Sequence, residues 1–384
     1  MKKIPLFDLK LSAAAKREVA AVMSSGWLST GPKVAAFEKK VTSLLKVPHG
    51  VAVNSATTGL QVALQAIGVG PGREVITTPF TYVATVGAIM AVGAHPVLAD
   101  ISPDTLNIDP DEIDRKFSAR TGAVIPVDIA GHPADYDRLQ ALCNRATVPL
   151  IADAAHSIGA THKKRSVPLA ADGAVLSFYS TKNLTCGEGG MVLSRHQPFI
   201  EMVRLISRHG LTNTAHERRT SGSADYDVVR PGLKANMSEL HAAVGLGQLG
   251  EYKKQQKQRE RLAQRYLANL SDLTDFLEPP VERKHCRHGW HLFIIRLHLS
   301  ALKIDRDRFI DLMARRGIEC GVHYKPLFDL SFYRNHLSLS PQFFPNAAYA
   351  GLRVVSLPFY PTLKLSQVDA VCDAVESIVT RHKR

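Results

Sequence analysis

The residue with the clearest chemical potential is a lysine that lies between an apolar run and a glycine-rich turn. Lys182 is part of SFYSTKNLTCGEGG (residues 177–190), after the apolar run 174–179 and before a second run that opens at Met191. This pattern predicts a buried strand that ends just before Lys182. A buried lysine loses pKa and becomes a nucleophilic amine, which a Schiff base with an aldehyde requires. The alternative is a surface lysine at the end of a strand.

Two more polar side chains end a neighbouring apolar run. Asp153 and His156 lie in LIADAAHS (residues 150–157). Ligands of α/β sheets bind outside the carboxyl ends of the strands, so we expect Asp153 and Lys182 to meet there. A carboxylate that faces a pyridine nitrogen keeps the ring protonated, and a protonated ring is the electron sink of pyridoxal phosphate chemistry. The alternative for Asp153 is a helix N-cap, a position that favours aspartate.

A third apolar run ends in hydroxyl-bearing residues. In GVAVNSATTGLQVAL (residues 50–64), the alternation of a strand changes to helical spacing at residues 55–58. Backbone N–H groups at a helix start, with hydroxyls beside them, can hold a phosphate group. An ordinary capped helix is the alternative, and this segment alone leaves both open.

The elements that must position these residues alternate along the chain. Seven strand-like runs precede residue 200, near Val51, Val75, Val97, Ile125, Ile151, Leu176 and Val192. Helical patterns separate the earlier runs, which predicts an α/β fold with a mostly parallel sheet covered on both faces. A long helical segment (238–270) leads to strands (291–297 and 321–324) mixed with helices (305–316 and 366–380). We therefore expect a large domain over residues 1–250 and a smaller α+β domain over residues 251–384.

Further motifs follow in order along the chain. They are SGWLSTGPKVAAFE (25–38), PGREVITTPFTYVAT (71–85), DTLNIDP (104–110), IPVDIAGHPAD (125–135), RHG (208–210), KANMSEL (234–240), WHLF (290–293) and HYKPL (323–327). With the three strand ends, the ordered set resembles the sugar aminotransferases of the DegT/DnrJ/EryC1/StrS family, which are fold-type I pyridoxal phosphate enzymes. The likeness is greatest to members that aminate C4 of UDP-linked keto-sugars, as in 4-amino-4-deoxy-arabinose biosynthesis.

The resemblance implies a role for each matching residue around pyridoxal 5′-phosphate. Lys182 is expected to be the Schiff-base lysine, Asp153 to pair with the pyridine nitrogen, and His156 to contact the ring or its 3-hydroxyl. Tyr82 is expected to stack on the pyridine face, and a core aromatic is the alternative. Three further residues are expected to contact the cofactor phosphate: Ala56, Thr57 and Ser177.

The resemblance also implies that two subunits share each active site. Asn236 matches a residue that reaches the phosphate in the partner subunit, so a homodimer is expected. The alternative is that Asn236 caps the helix that opens at Ser238. Thr30, Tyr324 and Lys325 are expected to line the side that holds the sugar nucleotide.

The implied reaction moves an amino group from L-glutamate to a nucleotide-linked keto-sugar. Lys182 would move the proton between the donor Cα and the cofactor C4′ in both halves of the reaction. Amination of C3 on a dTDP- or GDP-keto-sugar is one alternative. A pyridoxal phosphate sugar dehydratase is another, although that subgroup has histidine where this chain has Lys182. A non-enzymatic pyridoxal phosphate regulator is the third, and no helix-turn-helix segment is apparent.

Composition restricts the class of protein. The net charge of +13 suits an anionic substrate such as a nucleotide diphosphate sugar, and nucleic acid is the rival explanation. The densest basic run (253–265) is predicted to be a solvated helix face. Five scattered cysteines without C-x-x-C spacing indicate free thiols in the cytoplasm. No apolar stretch is long enough to span a bilayer, and residues 1–5 lack the apolar core of a signal peptide.

One cluster has residue types that could suggest zinc. His285, Cys286, His288 and His291 lie close together in the sequence. The segment 290–296 has the pattern of a strand and matches a family strand without metal. We therefore expect no metal site.

Overall fold

The computed structural model describes residues 3–213, 215–222 and 224–384. Within these ranges the α-helices are α1 (Ala13–Ser25), α2 (Pro32–Leu45), α3 (Ala56–Ala66), α4 (Val83–Ala91), α5 (Pro110–Asp114), α6 (Tyr136–Ala146), α7 (Val167–Ala170), α8 (Gln197–Ile206), α9 (Ala215–Ser221), α10 (Glu239–Asn269), α11 (Arg306–Arg315), α12 (Ser331–His336), α13 (Pro345–Arg353) and α14 (Leu365–Arg381). The strands are β1 (His49–Val53), β2 (Glu74–Thr77), β3 (His95–Leu98), β4 (Thr121–Val124), β5 (Ile151–Asp153), β6 (Thr161–His162), β7 (Arg165–Ser166), β8 (Gly173–Ser177), β9 (Gly190–Ser194), β10 (Leu277–Glu278), β11 (Cys286–Arg287), β12 (Phe293–Leu297) and β13 (Val354–Leu357).

The large sheet follows the order β3-β2-β4-β5-β8-β9-β1. Parallel bridges Val124↔Leu150 and Val127↔Asp153 join its two halves. Strand β9 is antiparallel to both neighbours, and the other pairs are parallel. The predicted α/β fold with a seven-stranded, mostly parallel sheet is therefore confirmed for the part of the chain that the structure describes.

Continuous apolar runs form the central strands because helices cover both faces of a parallel sheet. Every residue of β8 and β9 is buried. On one side the strands pack on a core that includes Phe37 of α2 and Tyr252 of α10. On the other side they pack against Leu60 of α3 and Val203 of α8.

A second core lies in the C-terminal part of the chain. Strands β10, β12 and β13 form an antiparallel sheet there, with α11 and α14 packed beside it. Helix α10 runs without a break through residue 250, packing against α1 and α2 at one end and α14 at the other. The division into residues 1–250 and 251–384 stays a prediction, and α10 is the element that the two parts have in common.

The structure differs from the sequence pattern at residues 321–324. A strand is expected there, but Gly321 makes only an isolated bridge with Ser356. His323 and Tyr324 line the cavity described below. None of the described helices combines the length and the apolar character that a membrane span needs.

Candidate active site

A cavity of about 490 Å³ opens at the carboxyl ends of the central strands. Strands β5 and β8 end at Asp153 and Ser177, and α3 begins three residues after β1 ends. Eight of the predicted site residues line this cavity: Ala56, Thr57, Tyr82, Asp153, His156, Ser177, Lys182 and Tyr324. The topology therefore brings together side chains that are far apart in the sequence, as expected for an α/β sheet.

Lys182 lies on the loop between β8 and β9, partly exposed to the cavity. Its backbone N–H donates to Tyr179 O (2.9 Å), which holds the tight turn after the strand. Burial lowers the pKa of Lys182 from 10.5 to about 8, and the Asp153 carboxylate opposes this shift. About a tenth of the side chain is therefore neutral at pH 7, which is the nucleophilic form.

Asp153 is buried on the floor of the cavity. Its Oδ2 accepts a hydrogen bond from the Thr85 hydroxyl (2.8 Å), and its Oδ1 accepts from Ala155 N–H (3.2 Å). Burial raises the pKa of Asp153, while these two donors and the charge of Lys182 lower it. No helix begins at residue 154, so Asp153 is not a helix N-cap.

His156 is buried beside Asp153 and forms one wall of the cavity. Its Nε2 lies 3.0 Å from the Tyr324 hydroxyl, while its buried Nδ1 has no partner in the described part of the chain. Burial lowers the pKa of His156 well below its usual range, and the charge of Lys182 adds to this. The imidazole is therefore neutral and presents one free polar atom.

The start of α3 supplies backbone donors at the opposite end of the cavity. The Ser55 hydroxyl accepts from Thr58 N–H (3.1 Å), so the predicted cap exists. The N–H groups of Ala56 and Thr57 remain without intrahelical acceptors, because the first turn of a helix has none. Capping and a phosphate cradle are therefore compatible at this helix start.

Tyr82 is an exposed aromatic at the mouth of the cavity. It is 59% exposed, which excludes the core position that was the alternative. Its ring centroid lies 6.0 Å from that of Tyr324. The exposed Tyr82 ring therefore offers a face on which a flat heteroaromatic ring can stack.

Gly190 allows β9 and the start of α3 to approach each other closely. A Cβ atom at this position would lie 2.7 Å from Ala56 N and 2.7 Å from the Ser55 carbonyl carbon. A side chain there must displace the donors that face the cavity, because these contacts are with backbone atoms.

Gly190→Ala is therefore expected to weaken pyridoxal phosphate binding by at least about 10-fold, which corresponds to about 1.4 kcal/mol. Titration of the apo protein with the cofactor measures this. Gly250→Ala is the matched control, because a Cβ atom at Gly250 meets nothing within 4 Å. Equal cofactor affinity in the two variants would contradict the role of Gly190.

Three predicted residues lie outside the residues that line this cavity. Asn236 Nδ2 donates to the Thr30 hydroxyl, and Asn236 Oδ1 accepts from Lys234 Nζ (2.6 Å). Ser238, not Asn236, caps α10, since its Oγ accepts from His241 N–H. Lys325 is exposed. The roles of Asn236, Thr30 and Lys325 stay predictions.

Sequence reasoning missed two residues of the site. Thr85 donates to Asp153 from α4, and no sequence signal connects these positions. His323 lines the cavity beside Tyr324, and burial lowers its pKa to about 4. The HYKPL motif contains His323 and could have drawn attention to it.

The histidines of the zinc-like cluster point to different neighbours. His288 stacks on Trp290 with 4.0 Å between ring centroids, whereas His291 faces His156 at 4.4 Å. His285 has a left-handed backbone (φ 69°). Among the described residues, no group of three or more His, Cys, Asp or Glu side chains could hold a metal ion.

The residues of the cavity fit pyridoxal phosphate. A lysine amine and a buried carboxylate line the same space, and a helix start supplies N–H donors to it. The free Nδ1 of His156 is a buried polar atom that a ring substituent can satisfy. These groups match the aldehyde, pyridine nitrogen, phosphate and ring hydroxyl of that cofactor.

Comparison with known proteins identifies the family of the chain. Residues 10–376 match the model of the DegT/DnrJ/EryC1/StrS aminotransferase family. The chain is 39% identical to the spore coat polysaccharide biosynthesis protein SpsC of Bacillus subtilis over 365 residues. This alignment covers 94% of each chain.

Solved structures also share the fold. The putative sugar aminotransferase Spr1654 from Streptococcus pneumoniae, solved in PLP and PMP forms, superposes with a TM-score of 0.92 at 30% identity and 99% coverage of both chains. DesI, solved in the presence of its TDP-sugar product, gives a TM-score of 0.88 at 27% identity, covering 99% of this chain and 93% of its own. The chain belongs to the DegT/DnrJ/EryC1/StrS family and is a pyridoxal phosphate-dependent sugar aminotransferase.

Proposed function

We propose that the enzyme moves an amino group from L-glutamate to C4 of a UDP-linked 4-keto-sugar, with Lys182 as the Schiff-base lysine and proton shuttle. The observation that carries the proposal is the pairing of a lysine of pKa about 8 with a buried carboxylate across one cavity. His156 supports the C4 assignment, because the resemblance to C4-aminating enzymes includes a histidine at this position. The net charge of +13 favours an anionic substrate such as a nucleotide diphosphate sugar.

Asp153, His156 and Lys182 have different tasks in the proposed reaction. When bound, pyridoxal phosphate supplies the electron sink for the carbanion that forms at the donor Cα. Asp153 would accept the hydrogen bond of the pyridinium N–H, and its burial would make that charge-assisted bond strong. His156 would orient the ring through its free Nδ1. Lys182 would hold the cofactor aldehyde, and its free amine would act as the general base that moves the proton of the donor Cα in both half-reactions.

The substrate is tested with a panel of UDP-, dTDP- and GDP-linked keto-sugars and L-glutamate, read by mass spectrometry. We expect a UDP-4-keto-sugar to gain the amine and 2-oxoglutarate to appear in equal amount. NMR of the product locates the new amine at C4 or C3. Failure to aminate any keto-sugar nucleotide, by a protein that contains bound cofactor, would contradict the proposed function.

A TDP-linked keto-sugar is the second candidate substrate. It is favoured by the likeness to DesI, which was solved in the presence of its TDP-sugar product. NMR of the product would again show whether the new amine is at C3 or C4. Preferential turnover of the dTDP-sugars in the panel would replace the UDP assignment.

The titration of Lys182 predicts the pH dependence of cofactor capture. Only the neutral amine attacks the aldehyde, so the rate at which the apo protein captures pyridoxal phosphate is expected to rise about tenfold per unit below pH 8 and to level off above it. Asp153→Asn should move this midpoint to lower pH, because the carboxylate raises the pKa of Lys182. Stopped-flow absorbance measures the rate, and a rise that continues past pH 10 would contradict the lowered pKa.

We further propose that two subunits share each active site, with Asn236 reaching the phosphate site of the partner. In one chain, Asn236 bridges to Val53 at the end of β1, just ahead of the α3 start, yet it does not line the cavity. A contact between Asn236 and a cofactor phosphate would therefore be made with the site of a partner subunit.

Mixing inactive Lys182→Ala subunits with weakened Asn236→Ala subunits tests the shared site. A mixed dimer would hold one site with both defects and one intact site, so activity should recover above that of either variant. A control preparation that contains only Lys182→Ala subunits should show no recovery of activity. Confirmed mixed dimers without recovery, or an active monomer by light scattering, would remove the proposal.

We place the enzyme in the cytoplasm. The described cysteines (Cys143, Cys186, Cys286, Cys320 and Cys372) are all free thiols. Free thiols are typical of reducing compartments.

A further inference from the structure

A buried histidine packs against the wall of the cavity that fits pyridoxal phosphate (the cofactor cavity). His291 is 5% exposed, and it is not among the described residues that line this cavity. Its ring centroid lies 4.4 Å from that of His156, with 39° between the two ring planes. His291 therefore supports the His156 side of the cavity from outside.

Asn183, the neighbour of Lys182 in the chain, fixes the orientation of the His291 ring. Its Nδ2 donates to Gly289 O (2.7 Å) and to Trp290 O (3.4 Å), so its amide oxygen faces His291 Nδ1 at 3.2 Å. Because an amide oxygen can only accept, His291 Nδ1 carries a hydrogen. Burial lowers the pKa of His291 well below its usual range, so the ring is neutral with its proton on Nδ1.

The backbone that carries His291 is held in an unusual conformation. Trp290 has a left-handed backbone (φ 49°), which a bulky residue rarely adopts. Such a conformation persists where the surrounding structure fixes it. Two buried side chains of α10 do so: Gln256 Nε2 donates to Gly289 O (2.9 Å), and Arg259 Nη1 donates to Trp290 O (3.3 Å) and His291 O (3.4 Å). The His291 ring therefore extends from a fixed point.

The backbones of the two histidines are also in close contact. His291 N–H donates to Ala130 O (2.9 Å), and the next residue, Gly131, packs against both histidines. A Cβ atom at Gly131 would lie 2.8 Å from His156 O and 3.2 Å from His291 N. Because protein interiors are closely packed, a movement of His291 would displace His156 as well.

Lys182 and His156 are proposed to contact neighbouring groups of the cofactor. The aldehyde and the 3-hydroxyl are attached to adjacent carbons of the pyridine ring. A shift of His156 relative to Lys182 would therefore weaken one contact when the other is made. Groups that bind one rigid ligand need supporting residues that hold them in register. The hydrogen bond between Asn183 and His291 joins the loop of Lys182 to the neighbour of His156.

We propose that Asn183 and His291 are positioning residues that hold His156 in register with Lys182. The proposal rests on the cofactor contacts proposed above for His156 and Lys182. Asn183, like His291, is not among the described residues that line the cofactor cavity, so both act through their neighbours.

Titration of the apo protein with pyridoxal phosphate tests the role of His291. His291→Phe keeps a flat ring but loses the Nδ1 donor. It should weaken cofactor binding roughly 3- to 10-fold, the factor that corresponds to one ordinary hydrogen bond. The circular dichroism of the bound cofactor, which reports the orientation of its ring, should change as well. His162→Phe is the matched control, since His162 is 6% exposed and does not line the cofactor cavity. It should bind the cofactor as the wild type does.

A double-mutant cycle separates positioning from a general structural effect. If His291 acts through His156, His291→Phe should cause no further loss of cofactor affinity in a His156→Phe background. A merely structural role would give the same fold loss in both backgrounds. That result, or wild-type affinity in folded His291→Phe, overturns the proposal.

Nitrogen NMR of the histidine side chains tests the contact with Asn183 in the wild-type apo protein. His291 should be neutral near pH 7 and protonated at Nδ1. A charged ring, or a proton on Nε2, would contradict the proposed hydrogen bond. Neither measurement uses a sugar. A protein that meets both expectations but aminates no keto-sugar would keep the positioning residues and lose the proposed function.

Discussion

Replacing Lys182 by alanine is expected to lower transamination turnover by at least about 10³-fold, because general base catalysis alone contributes roughly 10²–10⁴. The variant loses the amine that binds the cofactor aldehyde and the group that moves the proton. It should still fold, because none of the hydrogen bonds that hold the β8–β9 loop in the described part of the chain uses this side chain. That loop is held by backbone bonds such as Lys182 N–H to Tyr179 O.

Turnover is measured with L-glutamate and the sugar that the panel identifies. Lys39→Ala is the matched control, since Lys39 is exposed on α2 and does not line the cavity. Thermal unfolding should be similar for both variants. Turnover of Lys182→Ala within tenfold of wild type would contradict the assignment of the lysine.

Asp153→Asn is expected to reduce turnover by roughly 10²–10³-fold, the range for loss of one preorganised electrostatic contact at a reacting site. Asparagine preserves the size of the side chain, and its oxygen can still accept the Thr85 hydroxyl. The negative charge that keeps the pyridine nitrogen protonated is lost, so the electron sink is lost with it.

The free energy of unfolding should change little. The one contact expected to be lost is the hydrogen bond from Ala155 N–H, because the NH₂ group of asparagine would face it. Asp172→Asn is a suitable control, since Asp172 accepts from Leu150 N–H (3.0 Å) near the opposite ends of the strands. It should leave turnover unchanged. Near-wild-type turnover in Asp153→Asn would remove its proposed role.

Much of the site could be predicted because each principal residue ends a recognisable apolar run. Asp153 ends a buried strand, Lys182 and the 55–58 segment follow buried strands, and parallel topology collects strand ends at one edge. The glycines at 187–190 predicted a tight turn, and Gly190 does meet the start of α3 closely. Local pattern and global topology agree at these positions.

The remaining features depend on contacts that leave no local pattern. Thr85 supports Asp153 from a different helix, and the Tyr324 hydroxyl meets His156 from the C-terminal part of the chain. A strand was expected at residues 321–324, but the segment forms one isolated bridge, and His323 and Tyr324 line the cavity.

Reduction of the holoenzyme with borohydride, followed by peptide mapping, tests the central claim most directly. The purified protein should be yellow, and reduction should attach the cofactor permanently to the peptide that contains Lys182. The Lys182→Ala variant should yield no labelled peptide. Attachment to a different lysine in the wild-type protein would contradict this account of the active site.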